Sequence, residues 1–202
     1  MVAAMTLWPV RAPSGDDEPR ILLSGVPWAA YVVLRDSIES PSVRMTFLDG
    51  RLEIMSPSRA HEINKTQLAR LFELFCLELG IPLYAYGSTT FRAEEKQRGL
   101  EPDECYCRGV DRLVPDVALE VVVSHASIDK LEVYRGLGVR EVWVFEGGAV
   151  RVLELQGDRY AEIESSRVFP EADLGKLAKY AMRADQPEAL IALRDELRRG
   201  SD

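Results

Sequence analysis

Four residues have the types and spacing for chemistry on a phosphate group: Asp103 in EPDECY, Asp116 in VPDVAL, Glu120 inside the apolar run Val117 to Val123, and Lys130. A carboxylate in the middle of a β-branched run needs a partner, because burying it alone costs several kcal/mol. Asp116 and Glu120 are four apart, so on a strand they share a face. Asp103 falls on a short preceding strand that can lie beside the central one. Two carboxylates from neighbouring strands plus a lysine suit a hard divalent cation, Mg²⁺ or Mn²⁺ in its place. Such an ion takes oxygen ligands and often only one or two carboxylates, leaving positions for water and a phosphate oxygen. The plainer alternatives are that Asp116 starts a strand or caps a turn after Pro115 and that Lys130 is a solvated lysine. Further candidates are His61 and Glu62, in the first turn of a long helix, and Tyr134, one turn after Lys130 on the same helix face. For His61 a capping or solvated role stands beside a functional one, and for Tyr134 packing comes before a phosphate contact.

The stretch from Leu113 to Phe145 must position these groups. Its apolar run reads as a strand, Ser124 to Ser127 as a polar bend, Ile128 to Leu137 as a helix closed by Gly138, and Val142 to Phe145 as a second strand. Strand, helix and strand at this spacing predict a βαβ unit with parallel strands and a right-handed crossover. Lys130 then lies in the first helical turn. The helix dipole disfavours a cation there by up to about 1 kcal/mol, which favours a partner such as Glu120 across the loop.

Around this unit the pattern is mixed. Residues 1–24 show no periodicity and read as a flexible N-terminal arm; residues 25–202 read as a single domain. WAAYVVLRDSI has helical spacing. VRMTFLDGRLEIMSP predicts a hairpin turning at Asp49-Gly50, with Met45, Phe47, Leu52 and Ile54 on its buried face. Ser56 to Ser58 lead into a long amphipathic helix carrying Ile63, Leu68, Leu71, Phe72, Phe75 and Leu79, which stops at Gly80. IPLYAYGSTTF reads as a strand, Ala93 to Gly99 as a charged turn, and Asp103 to Cys107 as a short strand. A hairpin through Gln156-Gly157-Asp158 and an amphipathic helix from Pro187 to Arg199 close the chain. The order of elements predicts one α/β sandwich domain with a mixed sheet.

Composition narrows the function classes. The chain has 202 residues, 47% of them hydrophobic, enough for a real core. No run approaches the roughly 20 apolar residues that span a bilayer, and the N-terminus lacks a basic region before its apolar residues, so the cytoplasm is the expected compartment. Cys76, Cys105 and Cys107 lack paired metal-site or disulfide spacing and read as reduced thiols. The formal net charge of -8 argues against gripping nucleic acid through bulk electrostatics but leaves room for a local basic lip.

The run PDVALEVVVSHASIDKLEVYRGLGVREVWVFE, with FLDGRLEIMSP, SPSRAHE and EPDECY before it, resembles the Uma2 family of the PD-(D/E)xK restriction-endonuclease-like superfamily. The resemblance runs from about Val43 to Phe169 and rests on several ordered blocks together. It implies an α/β fold of the restriction-endonuclease-like kind: a mixed β-sheet core flanked by helices, with an N-terminal β-hairpin. By the superfamily's pattern Asp103 and Glu120 are the metal ligands and a lysine two positions after the second acid assists attack by water. Here that position is Val122. In Uma2-like proteins the lysine has moved to the following helix, which corresponds to Lys130, and a His stands where His61 does. The resemblance implies a Mg²⁺-dependent endonuclease acting on nucleic acid, DNA first; nucleases that cut both strands are often dimers, and the C-terminal hairpin and helix offer a contact for a homodimer. Two other readings stand beside it: a module that keeps the fold without the activity and binds nucleic acid or a protein, and a hydrolase of a small phosphorylated molecule.

Overall fold

The computed structural model of the chain describes residues 18–38, 40 and 42–200. The first element is strand β1 (Arg20–Ser24), so the stretch 1–24 expected to be an arm ends in a sheet; the arm before residue 18 lies outside the described residues. Helix α1 (Trp28–Ser37) follows, then strands β2 (Arg44–Leu48) and β3 (Arg51–Met55). Asp49 and Gly50 take φ of 47° and 81°, the positive pair that a type I′ turn needs, and set the register Leu48↔Arg51. β1 pairs antiparallel with the other edge of β3, Arg20 opposite Met55. α1 covers this sheet by stacking Tyr31 on Phe47 at 4.9 Å, over buried Met45 and Leu52. Ile54, expected on the buried face, is only partly covered.

Helix α2 (Arg59–Glu78) starts where the Ser58 hydroxyl accepts the His61 amide at 3.1 Å, the N-cap arrangement. Leu68, Leu71, Phe72 and Phe75 form its buried stripe, while Ile63 and Leu79, expected on it, are exposed. The stretch read as one strand divides into β4 (Leu83–Ala85) and β5 (Phe91–Ala93), which join different sheets. Gly87, at φ 60°, lies in the segment between them. The charged turn contains a 3₁₀ turn, Glu94–Lys96, and strand β6 (Arg98–Leu100).

Strands β7 (Glu104–Arg108) and β8 (Val117–Val122), helix α3 (Lys130–Leu137) and strand β9 (Glu141–Glu146) form the centre. β8 and β9 are parallel, as a βαβ unit requires, and Gly138 caps α3 at φ 83°. The hairpin of β10 (Ala149–Gln156) and β11 (Arg159–Ile163) extends the sheet. Helix α4 (Leu174–Ala181), which the sequence reading missed, and α5 (Gln186–Arg199) pack beside α2.

The expected mixed sheet is present, and a second sheet stands beside it. One has five antiparallel strands in the order β1-β3-β2-β6-β5; the other is mixed, with six strands in the order β11-β10-β9-β8-β7-β4. Alternation along β8 decides what lies on each face of the mixed sheet. Val117, Leu119 and Val121 join the α2 core, where Phe72 meets Trp143 and Phe169 edge-on at 5.0 Å. Ala118 faces the smaller core under α3 with Val133, Tyr134 and Val142. Glu120 continues this second face.

Candidate active site

The register between β7 and β8 pairs Glu104 with Leu119. Continued by one residue, it sets Asp103 opposite Glu120, and Asp103 Oδ2 accepts the neighbouring Val121 amide at 2.7 Å. The strand pairing that folds the sheet therefore also brings the two acids together. Both are buried, at 1% and 4% exposure.

Helix α3 supplies the counter-groups. Its N-cap, Asp129, accepts the Leu131 amide at 2.9 Å and fixes where the helix begins. Lys130 at the first helical position then reaches back over the loop, its Nζ 2.6 Å from Glu120 Oε2. One turn on, the Tyr134 hydroxyl donates to Glu120 Oε1. The i, i+4 spacing of Lys130 and Tyr134 thus presents two donors to the two oxygens of one carboxylate. Their opening is a cavity of about 270 Å³ lined by Glu120, Lys130, Tyr134, Arg20 and apolar groups such as Met55 and Ile128.

His61 lies behind Asp103. Its Nε2 is 2.9 Å from Asp103 Oδ1 and its Nδ1 is 2.7 Å from Glu18 Oε1, with all three side chains essentially inaccessible. Glu18 Oε2 accepts from the Ser124 amide at 3.1 Å, from the Ser124 hydroxyl and from Arg20 Nη2 at 3.1 Å.

The charges are unequal. Burial pushes the Glu120 carboxyl up, and the neighbouring Asp103 charge adds to this against the pull of Lys130. Burial acts on Asp103 in the same sense, but His61, Lys130 and the Val121 amide together hold it below the usual range. Burial lowers Lys130, and Glu120 and Asp103 more than restore it. His61 is likewise lowered by burial and held up by Asp103 and Glu18. Two facing carboxylates with one resisting ionisation have room for further positive charge.

This donor set fits a divalent cation. Each carboxylate oxygen has two lone pairs, so the contacts to Val121, His61, Lys130 and Tyr134 leave acceptor capacity on both acids. Among the described residues no group of three or more His, Cys, Asp or Glu side chains forms a metal cage.

The structure thus brings Asp103, Glu120, Lys130, Tyr134 and His61 to one place. Asp116 is elsewhere. It shares the strand face with Glu120 but stands four residues away, about 13 Å along a strand. There its Oδ2 accepts the Arg108 amide at 3.0 Å, and Arg140 and Arg112 lie 3.5 and 3.6 Å from it. Through these contacts Asp116 links the residue before β8 to the end of β7. Glu62 is on the exposed side of α2 and pairs with Lys65 at 2.6 Å. Tyr134 meets the carboxylate rather than an open phosphate position. Glu18, Arg20 and Ser124 escaped the sequence reading; the apolar Ile21 to Leu23 after Arg20 carried a strand signal that the acidic, proline-containing residues before it obscured.

The Uma2 family model, described as "Putative restriction endonuclease", matches residues 28–183. No curated protein matches the chain. No helix among the described residues is long and apolar enough to cross a membrane. The match takes in Asp103, Glu120, Lys130, Tyr134 and His61, and the mixed sheet flanked by helices agrees with the restriction-endonuclease-like fold. With most of its length inside the match and the fold in agreement, the chain belongs to the Uma2 family.

Proposed function

We propose that the protein is a Mg²⁺- or Mn²⁺-dependent endonuclease that hydrolyses phosphodiester bonds in nucleic acid, DNA foremost. The observation that carries this reading is the buried pair of Asp103, just before β7, and Glu120, in the adjacent β8, with Lys130 of the following helix on Glu120. Asp103 and Glu120 would hold the cation, whose chemistry when bound is to polarise a phosphate oxygen and lower the pKa of water. Asp103 is kept ionised and fixed by the Val121 amide and His61. Lys130, whose Nζ lies 2.6 Å from Glu120 Oε2, would orient the attacking water and stabilise charge developing on the phosphate. Tyr134 keeps Glu120 turned toward the cavity. The water oxygen bonds to phosphorus, the bridging P–O bond breaks, and the products are a phosphate monoester and a hydroxyl.

A second reading has one observation in its favour: both Glu120 oxygens already have partners, as they would in a nuclease fold retained only for binding nucleic acid or a protein. Cleavage of supercoiled plasmid and of labelled single strands separates the two, run with Mg²⁺, with Mn²⁺ and with chelator. The endonuclease reading expects metal-dependent cleavage that falls at least about 100-fold in Glu120→Gln and in Lys130→Ala. Intact metal-dependent cleavage in Lys130→Ala would remove that residue from the mechanism. No cleavage by any form would favour the binding module.

A further inference from the structure

The family match begins at residue 28, yet two side chains before it are built into the site. Glu18 has a buried side chain, and among the described residues its carboxylate meets His61 with one oxygen and Ser124 and Arg20 with the other. Ser124 lies two residues past the end of β8, in the loop that leads to Lys130. Arg20 spans the same junction. Its Nη1 donates to Glu53 Oε1 at 2.9 Å, its Nη2 to the Ser124 carbonyl at 3.0 Å, and its Nε to the Ser124 hydroxyl at 3.3 Å. Glu53 in turn accepts the Ser127 amide from the middle of that loop. The register Arg20↔Met55 fixes where β1 places these groups.

We infer that residues 18–24 are a working part of the active site, with Glu18 and Arg20 as positioning residues. Glu18 orients the His61 ring, and through Nε2 of that ring the Asp103 carboxylate; Arg20 holds the loop that presents Lys130. The physical logic is that of an outer shell. A ligand carboxylate free to rotate loses part of its binding free energy to conformational entropy, and a partner that fixes it restores affinity, typically by 10- to 100-fold. A surface strand with only a packing role would not require a fully buried acid aimed at a histidine. This inference rests on the reading of Asp103 as a metal ligand.

The test compares wild type with Glu18→Gln and Arg20→Ala, using Mg²⁺ and Mn²⁺ calorimetry, thermal melting, and the split of kcat from KM in plasmid cleavage. Glu18→Gln should weaken metal binding about tenfold and lower kcat at fixed metal. It should leave KM for the nucleic acid within about twofold, and excess metal should recover most of kcat. Arg20→Ala should lower kcat with little change in metal affinity. Unchanged metal affinity in a folded Glu18→Gln would overturn the role of Glu18, and unchanged kcat in Arg20→Ala that of Arg20.

A second readout uses the wild-type protein alone and so survives a variant that does not fold. The chain has two histidines, and the other, His125, is exposed. In a nitrogen-resolved NMR spectrum the buried His61 ring should show a slowly exchanging Nδ1 proton, and its resonances should move when Mg²⁺ is added. A rapidly exchanging Nδ1 proton, or a ring indifferent to Mg²⁺ in a protein that binds the ion, would overturn the inference. If calorimetry finds that wild type binds no metal at all, the reading of Asp103 fails first and takes the inference with it.

Discussion

Glu120 has two oxygens and two donors, one from each of two successive turns of α3. Tyr134→Phe removes one donor without altering the packing of the ring, so the loss is that of a hydrogen bond to a buried acid. We expect a stability decrease of about 1–3 kcal/mol in urea unfolding and a fall in cleavage smaller than that of Glu120→Gln, because the carboxylate proposed to hold the cation remains. A buried acid in an apolar strand was the sequence signal that drew attention to Glu120, yet it is not specific. Glu53, Glu101 and Glu141 are buried in or beside strands as well. Glu141 accepts from the Arg167 and Val168 amides at 2.7 and 2.9 Å, from Trp143 Nε1 at 3.0 Å and from the Ser166 hydroxyl at 2.6 Å. It is a clamp on a loop, and nothing in EVWVF separates it from Glu120. The specific signals were Lys130 at a helix start where a cation is disfavoured, and the order of the family's blocks. Apart from their contact with each other, Glu18 and Arg20 find partners such as His61, Ser124 and Glu53 more than 30 residues away in sequence, and local spacing is silent about them.

At the scale of elements, local rules worked where one residue dictates the backbone. Asp49-Gly50 and Gly138 set a turn and a helix end, and both positions are as the sequence indicates. They failed where tertiary contacts decide. β4, β5 and β6 are three residues each, too short for period-two alternation to show, and their assignment to two sheets follows from long-range pairing. Gly99 in β6 shows what that pairing demands: an added Cβ would meet the Tyr31 ring, 2.8 Å from its Cε1. Tyr31 is fully buried between Trp28 and Phe47 and has nowhere to move. Gly99→Ala should therefore destabilise the protein by about 1–3 kcal/mol, read as a lower urea midpoint. A neutral or stabilising effect would mean that α1 and the five-stranded sheet separate easily.

For the whole molecule the same burial governs thiols and site. Cys76, Cys105 and Cys107 are free and buried. Burial pushes the Cys76 thiol up to about 12. None of the three should react with a thiol reagent in the native protein at pH 8, and all three should react on unfolding. A thiol whose folded pKa stands above its unfolded value of 9.0 holds its proton more tightly in the native state. Its contribution to stability is intact below about pH 9 and falls, as pH rises toward 12, by about 1.4 kcal/mol per unit. Cys76→Ala should flatten the alkaline slope by that amount even if it lowers stability at neutral pH. The net charge of -8 makes the metal equally a matter for the whole molecule, since an acidic protein approaching a polyanion needs local positive charge at the point of contact. The central claim is that Asp103 and Glu120 together hold a divalent cation. Calorimetric titration with Mn²⁺ of wild type, Asp103→Asn, Glu120→Gln and Asp116→Asn tests it most directly. Binding heat in wild type and Asp116→Asn, lost in Asp103→Asn and Glu120→Gln, is the result expected. The same heat in all four proteins would contradict it.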